Sequence, residues 1–269
     1  MFINNLDLLY FSKPTFYSYV NLNLFSFRNI DLARRGKYKP RKEDKKRRTR
    51  KKSIIRIGRT HNDFNDYMAV HPNASASIVE MDTVEGIKGG KVFLTLLFRN
   101  YNFMLIFLME SKSMEEVEKI FIKIRNLIGI DTFKRIFEVI LTDNGSEFFN
   151  PISIEVDYNT GEVLSHVFYC NPYCSYQKGS IEKNHEYIRY ILPKKTSFNN
   201  LTQKDCDLIA SHINSTSRII LNIKTPYKAV QTLISVDIIN KLNIKFINPN
   251  QVNLSPNLLK KVYDKNDRK

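Results

Sequence analysis

The chain has 269 residues, of which 42% are hydrophobic and 26% are charged. This composition predicts a globular protein with one core and an appendage, and it excludes a low-complexity chain. The longest apolar stretches are interrupted well before the ~20 residues that a membrane span needs. Residues 1–7 lack the basic region and the small-residue cleavage site of a secretion signal. Three cysteines, an odd number, fit a reduced cytoplasmic protein.

The positive charge is concentrated in one segment. The net charge is +15, and residues 34–59 hold fifteen Lys or Arg against two acids, whereas residues 60–269 hold twenty-five against twenty-three. Such a segment is expected to contact nucleic acid, because each phosphate contact releases counterions. A solvated linker or a localisation tail is the alternative. The segment has too few apolar residues to fold alone, which predicts a linker that is disordered or ordered by DNA.

Hydrophobic periodicity predicts the remaining elements in chain order. Aromatic residues at helical spacing predict short helices around residues 15–20 and 60–72. A longer helix is expected to begin after Ser113 and end at Gly129. Later helices are expected over residues 180–190 and after Thr202. The predicted strands are residues 78–84, 91–99, 103–109, 137–142 and 163–170, and residues 152–156 are interpreted as the first arm of a surface hairpin.

Two predicted strands and one predicted helix each carry an acid. Asp143 follows the fourth strand and precedes a strong turn signal, Asp82 lies on the first strand, and Glu182 lies near the start of a helix. Ligands of open α/β sheets bind at the carboxyl ends of the strands. Carboxylate oxygens suit Mg²⁺ or Mn²⁺, and two such ions can promote phosphodiester chemistry. Taken singly, an Asp before Asn-Gly is weak evidence, because most such residues merely start turns.

Three sequence blocks carry a family resemblance: E-M-D-T-V-E-G at 80–86, L-T-D-N-G-S-E-F at 141–148 and Y-C-S-Y-Q-K-G-S-I-E-K-N at 173–184. In this order and spacing they resemble the blocks of bacterial insertion-sequence transposases of the IS30 family, and the resemblance extends over residues 29–261. It implies an α/β fold with a ribonuclease-H-like core, in which a mixed sheet of five strands is flanked by helices. It also implies a DDE triad.

The resemblance implies a function and its components. Asp82, Asp143 and Glu182 would be both the catalytic residues and the metal ligands, with Mg²⁺, or alternatively Mn²⁺, as the cofactor. The implied activity is DNA cleavage and strand transfer of an insertion sequence. The implied partners are terminal inverted repeats and target DNA, with a homo-oligomer on DNA, no membrane, and a cytoplasmic, nucleoid-associated location. Two alternatives stay open: a nuclease of the ribonuclease-H type and a catalytically silent DNA-binding remnant or regulator.

Basic residues are the candidate DNA contacts. The family carries a basic residue seven positions after the Glu of the triad, and Arg189 occupies that position, where a solvated side chain is the alternative. The other candidates are Lys178, Lys183, Arg41, Lys45, Lys46, Arg47, Arg48 and Arg50. Asn144 and Asn184 are expected to support the site, with Asn144 bracing the loop of Asp143.

The predicted domain organisation has four parts. They are a remnant of an N-terminal DNA-binding region (1–33), a basic linker (34–59), the catalytic core (60–235) and a C-terminal tail (236–269). Residues 12–24 resemble the last helix of a helix-turn-helix domain. The family carries a longer region before this helix, so we expect a truncated chain or an upstream reading frame. A short arm packed on the core is the alternative.

The cysteines raise the question of a zinc site. Cys170 and Cys174 lie near His166 and His185 in the sequence, but their spacing is not one of the strong zinc spacings. Reduced thiols are the preferred interpretation. Cys206 is expected to be inert on an amphipathic helix.

Overall fold

The computed structural model of the protein describes residues 12–28 and 56–259. Contacts divide the chain into two compact units, residues 1–52 and 53–269. In the first unit, α1 (Lys13–Asn21) begins after Ser12, whose hydroxyl accepts a hydrogen bond from Thr15 N. This confirms the short helix predicted around residues 15–20, while its relation to a helix-turn-helix stays a prediction. The candidate DNA contacts between Arg41 and Arg50 lie outside the described residues.

The second unit is built on one sheet of five strands. They are β1 (Ile78–Glu85), β2 (Val92–Phe98), β3 (Phe103–Met109), β4 (Val139–Thr142) and β5 (His166–Tyr169). Their order in the sheet is β3-β2-β1-β4-β5. β1, β2 and β3 form an antiparallel meander, whereas β4 and β5 run parallel to β1. This strand order is that of the ribonuclease-H-like fold, and it confirms the predicted fold class and all five predicted strands to within a few residues.

Two helices between β3 and β4 close one side of the core. The hydroxyl of Ser113 accepts Glu116 N at the start of α3 (Met114–Ile128), and Gly129 ends that helix with a φ of 81°. Both predicted limits are therefore confirmed. Phe121 of α3 and Phe133 of α4 (Ile130–Ile136) contact each other and also Phe137, the residue directly after α4. Phe137 in turn contacts Phe98 of β2. Truncating the fully buried Phe121 to Ala costs about 3–5 kcal/mol by the usual cavity cost.

Later helices cover the edge strand and the side of the sheet that carries Asp82. In α7 (Gln203–Asn214), Gln203 bonds to Leu108 N and Ile106 O, and Asn214 bonds to Met104 N and Met104 O. These side chains satisfy backbone groups of β3 that an exposed edge strand would leave open. The capping box of Thr202 and Asp205 confirms the predicted start of α7. Helix α6 (Gly179–Ile191) contacts β1 and carries Glu182.

Helix α2 (His61–Val70) lies beside β5. Its capping box joins Thr60 and Asp63, and its buried Phe64 makes an edge-to-face contact with Phe168. The short helix predicted over residues 60–72 is therefore confirmed.

The predicted strand over residues 152–156 is wrong. The segment instead forms α5 (Pro151–Glu155), and only Val156 and Val163 pair, in an isolated antiparallel bridge. Pro151 occupies the first turn of the helix, where its missing N–H and fixed φ are tolerated. Arg125 donates hydrogen bonds to the carbonyls of Ser153 and Ile154, which fixes the helix from the side. The strand was predicted from the local residue pattern of 152–156, and a local pattern holds no information about the contact with Arg125.

The C-terminal part of the described chain adds α8 (Pro226–Val230) and α9 (Val236–Lys241). Ile239, Leu242, Ile244 and Leu259 are buried in the main core. The division into a core ending at residue 235 and a tail stays a prediction. Of the helices in the described ranges, none has the length and apolar character that crossing a membrane requires.

Candidate active site

Asp82 and Asp143 are brought level by the pairing of two parallel strands. The register of β1 and β4 places Ile78 beside Val139 and Glu80 beside Leu141. Asp82 lies two residues beyond Glu80 on β1, and Asp143 lies two residues beyond Leu141, just after β4, so continuing this register brings the two acids level. The Thr142 hydroxyl donates to Met81 O at 3.2 Å and ties the strands together at this point. The structure thus juxtaposes two of the acids that the sequence singled out.

Short backbone bonds fix both carboxylates. Oδ1 of Asp82 accepts Thr83 N at 2.8 Å, and Oδ1 of Asp143 accepts Gly145 N at 2.9 Å. Nδ2 of Asn144 donates to Cys170 O at 2.8 Å, so the loop after β4 is attached to the end of β5. These bonds leave Oδ2 of each acid directed to another partner.

That partner is Lys178, at the start of α6. Its Nζ lies 3.1 Å from Oδ2 of Asp82 and 3.4 Å from Oδ2 of Asp143, and Lys178 is only 4% exposed. Burial raises the pKa of the Asp82 carboxyl, the Lys178 ammonium opposes this shift, and the Asp143 carboxylate adds to it. Two acids so close therefore need a cation between them, and Lys178 supplies one.

Glu182 occupies a different environment. It lies in the first turn of α6, and its side chain is exposed. Within residues 12–28 and 56–259, no three His, Cys, Asp or Glu side chains are grouped closely enough to hold a metal ion. The structure therefore brings Asp82 and Asp143 together and does not gather Glu182 with them. The role of Glu182 in a triad stays a prediction.

A hydrogen-bond chain links α6 to the strand of Asp82. Oγ1 of Thr95 donates to Asp82 O at 3.0 Å and lies 2.8 Å from Nε2 of His185. With the Thr95 hydrogen committed to Asp82, Nε2 of a neutral His185 is the donor. Burial lowers the pKa of His185 to about 3, and the Lys178 and Arg189 cations contribute in the same direction. His185 is therefore neutral at ordinary pH.

Sequence reasoning missed Glu147, which is 3% exposed. Its Oε1 accepts the Thr83 hydroxyl at 2.9 Å and lies 3.3 Å from Nζ of Lys112, while its Oε2 has no hydrogen-bond partner within the described structure. A Cβ on Gly145 would lie 2.6 Å from that Oε2, so the turn after Asp143 leaves room for the carboxylate. The sequence signal that could have identified Glu147 is its position, an acid four residues after Asp143 and beyond the same turn.

The predicted DNA contacts on α6 have different surroundings. Lys178 is buried against the two acids, whereas Lys183 is exposed. Nη2 of Arg189 donates to Glu85 O at 2.8 Å, and its Nη1 is buried without a hydrogen-bond partner in the described part of the chain. Nδ2 of Asn184 bonds to Ser180 O and to Oδ1 of Asn102, which joins α6 to the turn before β3. Of these groups, Lys183 is the most open to a phosphate.

The three cysteines are free thiols. Cys170 is buried at the end of β5, where burial raises its pKa to about 12, and Cys206 is buried in α7. Both are poor nucleophiles because the thiolate is strongly disfavoured.

Known proteins provide an independent comparison. No protein-family model matches the chain. The chain is 28% identical over 211 residues to the "Putative integrase ORF3" of Spiroplasma virus SpV1-R8A2 B, covering 77% of this chain and 59% of that protein. It is 35% identical over 65 residues to the "Transposase InsI for insertion sequence element IS30A" of Escherichia coli strain K12, covering 24% of this chain and 17% of that protein.

A solved chain of the simian T-cell lymphotropic virus intasome, in complex with the PP2A regulatory subunit B56 gamma, is similar at 15% identity and a TM-score of 0.43. The match covers 57% of this chain and 54% of the intasome chain. The chain thus spans less than two thirds of the length of each of these proteins. Its sequence relatives show that the chain is a homologue of transposases and integrases, with a transposase of an IS30 element among them.

Proposed function

We propose that the chain is a transposase that cuts DNA and joins the freed strand to a target by metal-dependent phosphodiester chemistry. The observation that carries the proposal is the meeting of Asp82, on β1, and Asp143, directly after the parallel strand β4, around one buried cation in a ribonuclease-H-like sheet. The names of the sequence relatives support it. DNA ends and target DNA are the proposed substrates, and a homo-oligomer on DNA in the cytoplasm is the proposed working form.

The donor set fits a divalent cation. Asp82 and Asp143 offer carboxylate oxygens, which suit Mg²⁺ and Mn²⁺. The Lys178 ammonium, within 3.4 Å of one oxygen of each acid, stands in for such an ion. We propose that Asp82 and Asp143 hold the ion and that Glu182 is the third ligand. When bound, a divalent ion activates the attacking oxygen and stabilises the leaving oxygen of the phosphodiester.

The residues of the chain contribute orientation and charge. The bonds from Thr83 N and Gly145 N fix the two carboxylates, so little reorganisation is needed at the moment of reaction. Lys183, exposed beside Glu182, is proposed to hold a DNA phosphate. Arg189 is proposed to hold another when its bond to Glu85 O opens.

One observation favours a second candidate function, a catalytically silent DNA-binding regulator. The buried ammonium of Lys178 already satisfies both aspartates, and Glu182 is not grouped with them. If Lys178 kept this position on DNA, the acids would be neutralised and no metal would enter.

A product analysis separates the candidates. The chain is incubated with a labelled duplex that carries the ends of its element and with a plasmid target, in Mg²⁺, in Mn²⁺ and in chelator. A transposase gives labelled strands joined to the plasmid in the presence of metal only. Cleaved strands without joining would indicate a nuclease of the ribonuclease-H type. Binding without cleavage in any metal would indicate the regulator and would overturn the proposal.

A further inference from the structure

Glu80 is a buried carboxylate two residues before Asp82 on β1. Because side chains alternate along a strand, Glu80 and Asp82 share one face of the sheet. Glu80 is 1% exposed, and each of its oxygens has a hydrogen-bond donor. Oε1 accepts Nε of Arg99 at 2.7 Å, and Oε2 accepts the backbone N–H of Ile181 at 2.7 Å.

The bond to Ile181 replaces a missing cap on α6. Helix α6 begins at Gly179, and Lys178 in the N-cap position makes no side-chain capping bond. Ile181 is the third residue of the helix, and its N–H is one of the groups that a capping side chain normally accepts. The acceptor here comes from the sheet, from a residue 101 positions earlier.

Arg99 extends this connection to the loop before α6. While Nε of Arg99 pairs with Glu80, its Nη2 donates to Gln177 O at 2.9 Å. The pair of Glu80 and Arg99 therefore holds the backbone at Gln177 and at Ile181. Lys178 lies between these two attachments, and Glu182 follows directly after the second.

We infer that Glu80 is a positioning residue for the active site, which sets the start of α6 and thereby fixes where Lys178 meets Asp82 and Asp143 and where Glu182 lies relative to them. The inference rests on the proposed function, since it assigns Glu80 a part in arranging that same site. Glu80 itself touches no DNA and no metal, because its two oxygens are committed to Arg99 and Ile181. Its effect passes through the backbone of α6.

The chain offers a matched control in Glu155. This carboxylate is also buried, pairs with an arginine (Arg59) and accepts a backbone N–H, that of Val167, at 2.8 Å. Glu155 holds β5, and its bonds to Arg59 and Val167 do not reach α6. Glu80→Ala and Glu155→Ala therefore remove the same kinds of bond from two parts of the core, and Glu155 loses one more bond to its arginine. Glu80→Gln keeps an acceptor for Ile181 N and the side-chain volume, and it serves where Glu80→Ala does not fold.

Two readouts on the full chain test the inference without DNA joining. Amide hydrogen exchange over residues 179–184 reports the first turn of α6, and calorimetry with Mn²⁺ reports the metal site. We expect Glu80→Ala to speed this exchange and to weaken Mn²⁺ binding by about tenfold or more, in the range seen when a residue that supports metal ligands is lost. Glu80→Gln should lie between Glu80→Ala and the wild type in both readouts. Glu155→Ala should leave both unchanged while lowering overall stability.

The outcomes separate the inference from the proposed function. Exchange and Mn²⁺ binding at wild-type levels in both Glu80 variants would overturn the inference. Equal changes in the Glu155 and Glu80 variants would also overturn it, since the effect would then be a general loss of stability. A wild-type chain that binds Mn²⁺ but joins no DNA would remove the proposed function, and the inference would still be decided by the two readouts.

Discussion

The acids of the sheet and the acid of the helix are held in different ways. Asp82 and Asp143 are fixed by strand register, by backbone N–H groups and by the buried Lys178. Glu182 is exposed in the first turn of α6, whose only capping bond among the described residues reaches across from Glu80. The sheet therefore supplies a preformed pair, whereas the third acid depends on how α6 is placed.

The largest effect is expected from removing one of the paired acids. Asp143→Asn keeps the side-chain shape and the bond to Gly145 N but removes the charge that a metal needs. We expect DNA joining to fall by about 10³-fold or more, as for other residues that act as a unit in catalysis. The rate of DNA joining with Mg²⁺ measures the activity of the variant, and circular dichroism shows whether it is folded.

Asp237→Asn is the matched control. Asp237 is an exposed acid in the first turn of α9, and its replacement should leave joining unchanged. If Asp143→Asn joined DNA at the wild-type rate, the paired acids would be structural, and the contrast between a preformed catalytic pair and Glu182 would be wrong.

A smaller effect is expected from Lys178→Met, which removes the cation between the two aspartates. Leaving the partly buried Asp82 and the nearly half-exposed Asp143 without this cation should lower the free energy of unfolding in metal-free buffer. We expect a loss of about 2 kcal/mol, below the cost for a fully buried pair, because solvent screens Asp143 in part. Saturating Mg²⁺ should restore more stability to the variant than it adds to the wild type, because the ion no longer competes with the ammonium. Denaturant titrations with and without Mg²⁺ measure both effects. If the metal stabilised both proteins equally, Lys178 would not occupy the position of the ion.

The sequence predicted much of the preformed pair and little of its surroundings. The strand ends and turn signals around Asp82 and Asp143 are local, and the parallel pairing of β1 with β4 follows from the fold class. The position of Lys178 depends on the path of the loop before α6 and on the attachment of Gln177 to Arg99, which no local pattern encodes. Helix α5 was missed for the same reason, because Arg125 holds it from another helix.

The pH dependence of stability tests whether α6 is packed as tightly as the Thr95–His185 bond indicates. The folded pKa of His185 is lowered to about 3, whereas an unfolded histidine titrates near 6.5. The unfolded state therefore binds more protons below pH 6.5, and stability falls as the pH decreases from there toward 3. We expect a loss of about 2 kcal/mol on going from pH 6.5 to about 5.

The same sign applies to His166 and His212, because burial lowers the pKa of each. His185→Gln should flatten the decrease seen in denaturant titrations across this range. An equally steep decrease in His185→Gln would mean that the histidine is not held neutral by its packing on Thr95.

The smallest effect is expected at the exposed surface of α6. Lys183→Ala should weaken DNA binding only slightly and reduce the slope of log K against log salt by ~0.9, the value for one lost phosphate contact. Lys204→Ala, an exposed lysine of α7, is the control and should leave the slope unchanged. Equal slopes for the wild type and Lys183→Ala would show that Lys183 contacts no DNA phosphate.

The most direct test of the central claim is Mn²⁺ binding to the wild type, Asp82→Asn, Asp143→Asn and Asp237→Asn, measured by calorimetry on the folded proteins. If Asp82 and Asp143 form one cation site, the wild type and Asp237→Asn bind Mn²⁺ alike. Each of the other two variants then binds it at least about tenfold more weakly. Wild-type affinity in both Asp82→Asn and Asp143→Asn would contradict the account, because the two acids would then meet only to neutralise Lys178.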